Sequence, residues 1–147
     1  MVAIPEPVPG LVIRYSYLWQ SEFLAGRDEG VKDRPAAIVA AIVGASDGHK
    51  RVLVLPITHT PPHDPAFAIE IPPVVKRRLG LDDARSWIVV AEANEFVWPG
   101  PDLRRVPNDT DASVVYGFLP PGLFAQVRTA FIAAVETKRV QRVPRTE

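Results

Sequence analysis

Apolar residues fall in short runs, separated by proline, glycine and charged clusters. After Gly10 the run LVIRYSYLW is rich in β-branched and aromatic residues, which predicts a strand over Leu11–Tyr17. The next stretch, QSEFLAGRDEGVKD, is charged and carries Gly26 and Gly30, so residues 20–33 read as a long exposed loop. In RPAAIVAAIVG the residues Ile38, Val39, Ile42 and Val43 favour a strand over 35–43 buried on both faces. Asp47-Gly48 is a hairpin signal, and RVLVLPI begins soon after it. Residues 35–43 and 51–58 are therefore expected to pair antiparallel.

Pro61-Pro62 ends that second strand, and Ala66–Ile71 alternates as another strand would. Pro72-Pro73 opens a short helix, VVKRRL, which Gly80 stops. Ser86–Ala91 reads as a strand with Glu95–Trp98 paired near it, and residues 99–113 read as polar and irregular. The clearest helix follows Pro120-Pro121-Gly122, where residues 123–137 lack glycine and proline. Leu123, Val127, Ala130 and Ala134 line one side of it, beside Phe124, Phe131 and Val135. This stripe is expected to cover an open face of the sheet. Residues 1–9 read as an extended arm, 10–137 as one domain and 138–147 as a basic tail carrying Lys138, Arg139, Arg142 and Arg145.

Composition narrows the picture. A chain of 147 residues suits one domain. Its 16 prolines exceed the typical share of roughly 5% and argue against a helical bundle. The expected class is mainly β (α+β): a bent antiparallel sheet or open barrel with a helical insert and a C-terminal helix. Lys+Arg and Asp+Glu are both 17, so any anion site has to be local rather than global. The absence of cysteine excludes disulfides, Cys-rich zinc sites and thiol nucleophiles. No apolar stretch is long enough to span a bilayer and no secretory leader is visible, which makes the cytoplasm the default location.

Nucleotide-binding and hydrolase signatures such as GxxxxGK[ST], GxGxxG and GxSxG are missing. His59 and His63 are four apart, but Pro61 and Pro62 forbid the helix that would turn both toward one metal, so no metal site is expected. Two segments carry more. Pro35 biases Arg34 to an extended conformation at the head of one strand. Thr58 and Thr60 share a face at the end of its partner, with His59 pointing away from Thr58. Antiparallel pairing brings Arg34 and Thr58 to the same end of the sheet. A guanidinium beside a hydroxyl suits a phosphate or a developing oxyanion. The loop adds Arg27, Glu29 and Lys32 near that end. Trp19 and Tyr17 are candidates for stacking on bases, and Lys76, Arg77 and Arg78 read as the solvated face of the insert helix.

In order and spacing, Gly10-Leu-Val-Ile, Glu29, Arg34-Pro35-Ala-Ala-Ile-Val and Val52-Leu-Val-Leu-Pro56-Ile-Thr58 resemble the MazF/PemK-like toxins of type II toxin–antitoxin systems. The resemblance covers roughly residues 8–91 and the final helix; residues 92–113 lie outside it. It implies an SH3-like open barrel, a homodimer, and a growth-inhibiting endoribonuclease that cleaves single-stranded RNA without metal or other cofactor. Attack by the 2′-hydroxyl would leave 2′,3′-cyclic phosphate and 5′-hydroxyl ends. Its catalytic arginine and threonine fall on Arg34 and Thr58. Glu29 is the first candidate for the general base and His63 the second; Arg27, Lys32, Thr60 and Trp19 are candidates for RNA binding. The implied protein partner is an antitoxin that lays an acidic segment over the RNA groove. The alternative is the same barrel used as a non-catalytic RNA- or protein-binding module.

Overall fold

The computed structural model describes residues 4–27, 32–44, 48–107, 113–137 and 140–145. Its centre is the pair β2 (Arg34–Val43) and β3 (Lys50–Thr58), antiparallel as the sequence predicts. The register runs Ala36↔Pro56, Ala37↔Leu55 and Ile38↔Val54, then slips so that Ala40 faces Leu53. The extra residue is a bulge, and it turns both Val39 and Ala40 toward the same core. Burial on both faces holds only for the first part of β2; at its far end Ile42 is 67% exposed and Val43 59%.

β1 (Leu11–Tyr15) lies on the outer side of β2 and is two residues shorter than predicted. The chain between β1 and β2 is not wholly a loop. Gln20–Leu24 form a helical turn, α1, whose first orphan amide is met when the Glu22 carboxylate accepts a hydrogen bond from the Trp19 N–H (3.0 Å). On the other side, β3 changes partner along its length. Residues 51–54 pair with β6 (Glu92–Val97), and residues 57–58 pair with β5 (Trp87–Val89). Ala68–Glu70, preceded by a single 3-10 turn at Pro65–Phe67, form β4 on the far edge of β5. α2 (Pro73–Leu79) starts with proline at its first position and ends at Gly80, whose φ of 72° is the left-handed C-terminal conformation expected of glycine.

Two strands appear that the sequence reading did not assign. Val115–Phe118 form β7, which pairs with Leu11–Ile13 of β1. Before it, residues 102–104 run along the rest of that edge: Ser16 N–H donates to the Asp102 carbonyl and Arg104 N–H to the Arg14 carbonyl, both 2.9 Å. After α3 (Pro121–Glu136) the chain returns as β8 (Gln141–Pro144), parallel to β6. The expected basic tail thus supplies a strand, and the sheet is antiparallel except for this pair. The arm also contributes, since Trp98 Nε1 donates to the Pro5 carbonyl (3.0 Å) and Lys50 pairs with Glu6.

The eight strands form one sheet that is not closed into a barrel, with a core on each face. One core is aliphatic and lies under α3, which buries Leu123, Val127, Phe131 and Ala134; burying each of the larger three contributes about 1.5–3 kcal/mol. Ala130 packs only at its margin, and Val135, expected on the buried stripe, is half exposed. The other core is aromatic, with Tyr15, Tyr17 and Phe96 fully buried and Trp19 and Trp98 at its rim. Among the described residues no helix is long and apolar enough to cross a membrane.

Candidate functional site

The site forms where β2 begins and β3 ends. The register Ala36↔Pro56, carried two residues further, sets Arg34 against Thr58. β1 extends the same row, since Tyr15 is the partner of Arg34. Alternation places these three on the aromatic face, together with Ala36 and Val54 of that core. The next row, Arg14, Pro35 and Ile57, belongs to the aliphatic face. A cavity of about 910 Å³ lies across this end of the sheet and is lined by Arg34 and Thr58 of the first row and by Arg14, Pro35 and Ile57 of the second.

Of the candidates from sequence, Arg34, Thr58, Thr60, His63, Lys32 and Trp19 all line this cavity. Arg27 does not; it is exposed just beyond α1. Glu29 lies outside the described residues. Tyr17 is buried in the aromatic core rather than offered to a ligand. The basic cluster of α2 divides: Arg77 and Arg78 are exposed, whereas Lys76 is only 4% exposed. Val106 and Pro107 bring the segment outside the family pattern into the cavity wall.

Arg34 has an unusual setting. Its guanidinium carbon sits over the Trp19 ring, 5.0 Å from the ring centre, a cation–π contact. Its Nε is buried with no hydrogen-bond partner. Burial lowers its pKa below that of an ordinary arginine, an effect opposed by Glu22, Tyr17 and Glu92 nearby. None of these carboxylates forms an ion pair with it among the described residues. The lining acids are engaged elsewhere. Asp33 faces Arg14 and Arg104 at 3.9 and 3.4 Å, Asp64 accepts from Ala66 N–H at 2.9 Å, and Asp82 is held by Lys76 and His59 at 2.6 and 2.7 Å. An anion entering the cavity therefore meets Arg34 without displacing a carboxylate from it.

Of two further groups near the site, Glu92 escaped the sequence reading and His59 was given the wrong direction. Glu92 sits beneath Arg34, where burial raises its pKa even though the Gln20 N–H hydrogen-bonds to it. His59, expected to point away from Thr58, lines the same cavity. Alternation fails here because β3 ends at Thr58: Thr60 N–H donates back to Thr58 Oγ1 (3.2 Å), closing a turn through His59. The two prolines that follow were the available signal for that break.

No protein-family model matches the chain, and no curated protein matches it.

Proposed function

We propose that the protein is an endoribonuclease that cleaves single-stranded RNA through attack of a 2′-hydroxyl on the adjacent phosphodiester. The observation that carries this reading is Arg34: a half-buried guanidinium over the Trp19 ring, with no ion-pair partner among the described residues, lining the same cavity as Thr58. The reaction needs charge stabilisation on the phosphorane and movement of protons, and it needs no metal when side chains supply both. Arg34 would bind the non-bridging oxygens and Thr58 would donate to one of them. DNA lacks the nucleophile, so RNA selectivity follows from the chemistry. Lys32 and Trp19 suit the flanking phosphate and base, and a cavity of about 910 Å³ has room for more than one nucleotide.

The order of motifs similar to MazF/PemK-like toxins supports the same reading. With it come an SH3-like arrangement of the open sheet, a cytoplasmic growth inhibitor, a homodimer, and an acidic antitoxin segment that competes with RNA for the cavity. The test is cleavage of unstructured RNA in EDTA with analysis of the ends. The expected products carry 2′,3′-cyclic phosphate and 5′-hydroxyl, and Arg34→Ala does not form them. Full cleavage by that variant would remove Arg34 from the mechanism. Binding without turnover is the second reading, favoured by the placement of Val106 and Pro107 in the cavity wall. Tight RNA binding with no products would select it.

A further inference from the structure

His59 is held as a catalytic imidazole is held. Its Nε2 lies 2.7 Å from Asp82 Oδ2. The other oxygen of Asp82 is anchored from below: Oδ1 is 2.6 Å from the Nζ of buried Lys76, which also donates to Ser86 Oγ (2.7 Å) and to the Ala84 carbonyl. Asp82 further accepts the Ala84 N–H (3.2 Å). The carboxylate is thus fixed in place, and the hydrogen bond from Lys76 holds its pKa below the ordinary 3.8. A carboxylate 2.7 Å from Nε2 favours the tautomer with its N–H on that side and its lone pair on Nδ1. No protein group among the described residues occupies Nδ1, and the ring is a wall of the cavity that also holds Arg34 and Thr58. His63, by contrast, is exposed and has no orienting partner among the described residues.

We infer that His59, oriented by Asp82, is the base of the cleavage step. This rests on the endoribonuclease reading above. The 2′-oxygen attacks phosphorus and the O2′–P bond forms, while the hydroxyl proton passes to His59 Nδ1. The P–O5′ bond breaks and its electron pair leaves on O5′, which takes a proton from a water molecule. The hydroxide so formed recovers the proton from the imidazolium, so water and histidine are both regenerated. Asp82 keeps the ring in the required tautomer and stabilises the imidazolium without itself taking the proton.

The test is single-turnover cleavage of an unstructured RNA oligonucleotide by wild type, Arg34→Ala, His59→Ala and His63→Ala, with affinity measured separately on the non-cleavable 2′-deoxy oligonucleotide. His59 is more than half exposed, so its removal should leave the fold intact. His59→Ala is expected to slow cleavage by ~10²–10⁴, leave binding of the deoxy oligonucleotide unchanged, and recover part of the rate with added imidazole. His63→Ala should keep far more of the rate than His59→Ala does. Wild-type rates in His59→Ala, with Arg34→Ala inactive, would overturn the assignment and leave the endoribonuclease reading standing. Loss of rate together with loss of binding, and no recovery in imidazole, would overturn it as well. A wild-type protein that cleaves no RNA would sink both.

Discussion

Two arginines on the aromatic side of this sheet are used in opposite ways. Arg145 lies 5.4 Å from the centre of the Tyr15 ring and Arg34 lies 5.0 Å from that of Trp19. Arg145, whose side chain is 1% exposed, spends its donors on the protein. It pairs with Asp102 at 3.0 Å and donates to the Ser16 carbonyl (2.7 Å) and to Asn94 Oδ1 (3.1 Å). Asn94, itself fully buried, also bonds both backbone groups of Leu18, at 2.9 and 2.7 Å. That network ties β8, β6, the end of β1 and the 99–107 segment together. Arg34 has a similar ring contact, but it lines a cavity and forms no ion pair among the described residues. A cation with every donor used holds a fold, whereas a cation with donors to spare holds a ligand.

That contrast makes the largest effect fall on the residue farther from the chemistry. Arg145→Ala would take the guanidinium away from the buried Asp102 carboxylate and should cost about 3–5 kcal/mol in urea unfolding. The double variant Arg145→Met with Asp102→Leu should recover most of this, because it removes both charges. A loss below about 1 kcal/mol for the single variant would show that the pair does not hold the tail. Arg34→Ala should behave the other way: stability within about 1 kcal/mol of wild type, but cleavage down by ~10²–10³. Arg34→Lys should not restore it, since an ammonium offers neither the planar stack nor the paired donors. Thr58→Val keeps the shape and loses one hydroxyl donor, so a roughly tenfold loss of rate is expected, in line with ~0.5–1.5 kcal/mol for one hydrogen bond.

The smallest effect concerns Glu92. Its folded pKa is raised above the ordinary 4.5, chiefly by burial. The folded state therefore holds the proton more tightly than the unfolded chain, and this group's contribution to stability falls as pH rises from about 4.5 through the folded pKa. Glu92→Gln, which keeps an acceptor for the Gln20 N–H, should lose that slope and gain on wild type as pH rises. Parallel stability curves for the two proteins from pH 4 to 8 would show that Glu92 carries no such linkage.

The parts legible from sequence are those made by local signals. β2 and β3 were readable as apolar runs on either side of a turn. α2 and α3 announced themselves through proline at the start, and α2 through glycine at the end as well. Gly100 shows the same kind of local demand: its φ is 63°, and a side chain there would press on Phe96 and the Val97 carbonyl at 3.1 Å. Arg34, Thr58, Trp19, Lys32, Thr60 and His63 were legible as neighbours because antiparallel pairing converts sequence order into position. His59 was misplaced because alternation was carried one residue past the end of its strand. Its partner Asp82 arrives from the turn after α2, and nothing near His59 in the chain announces it.

By itself the sequence determined the β2–β3 pair, the two proline-started helices and the meeting of Arg34 with Thr58, since each depends on contacts between chain neighbours or on one register. Tertiary structure alone decided the fate of α1, β7, β8, Lys76 and Arg145. β8 has a single buried apolar residue, Val143, and is a strand only because β6 offers an open edge beside it. Lys76 and Arg145 carry charges that ordinarily seek water. They are buried because carboxylates compensate them where the fold closes: Asp82, from the turn just after α2, for Lys76, and Asp102, far back along the chain, for Arg145.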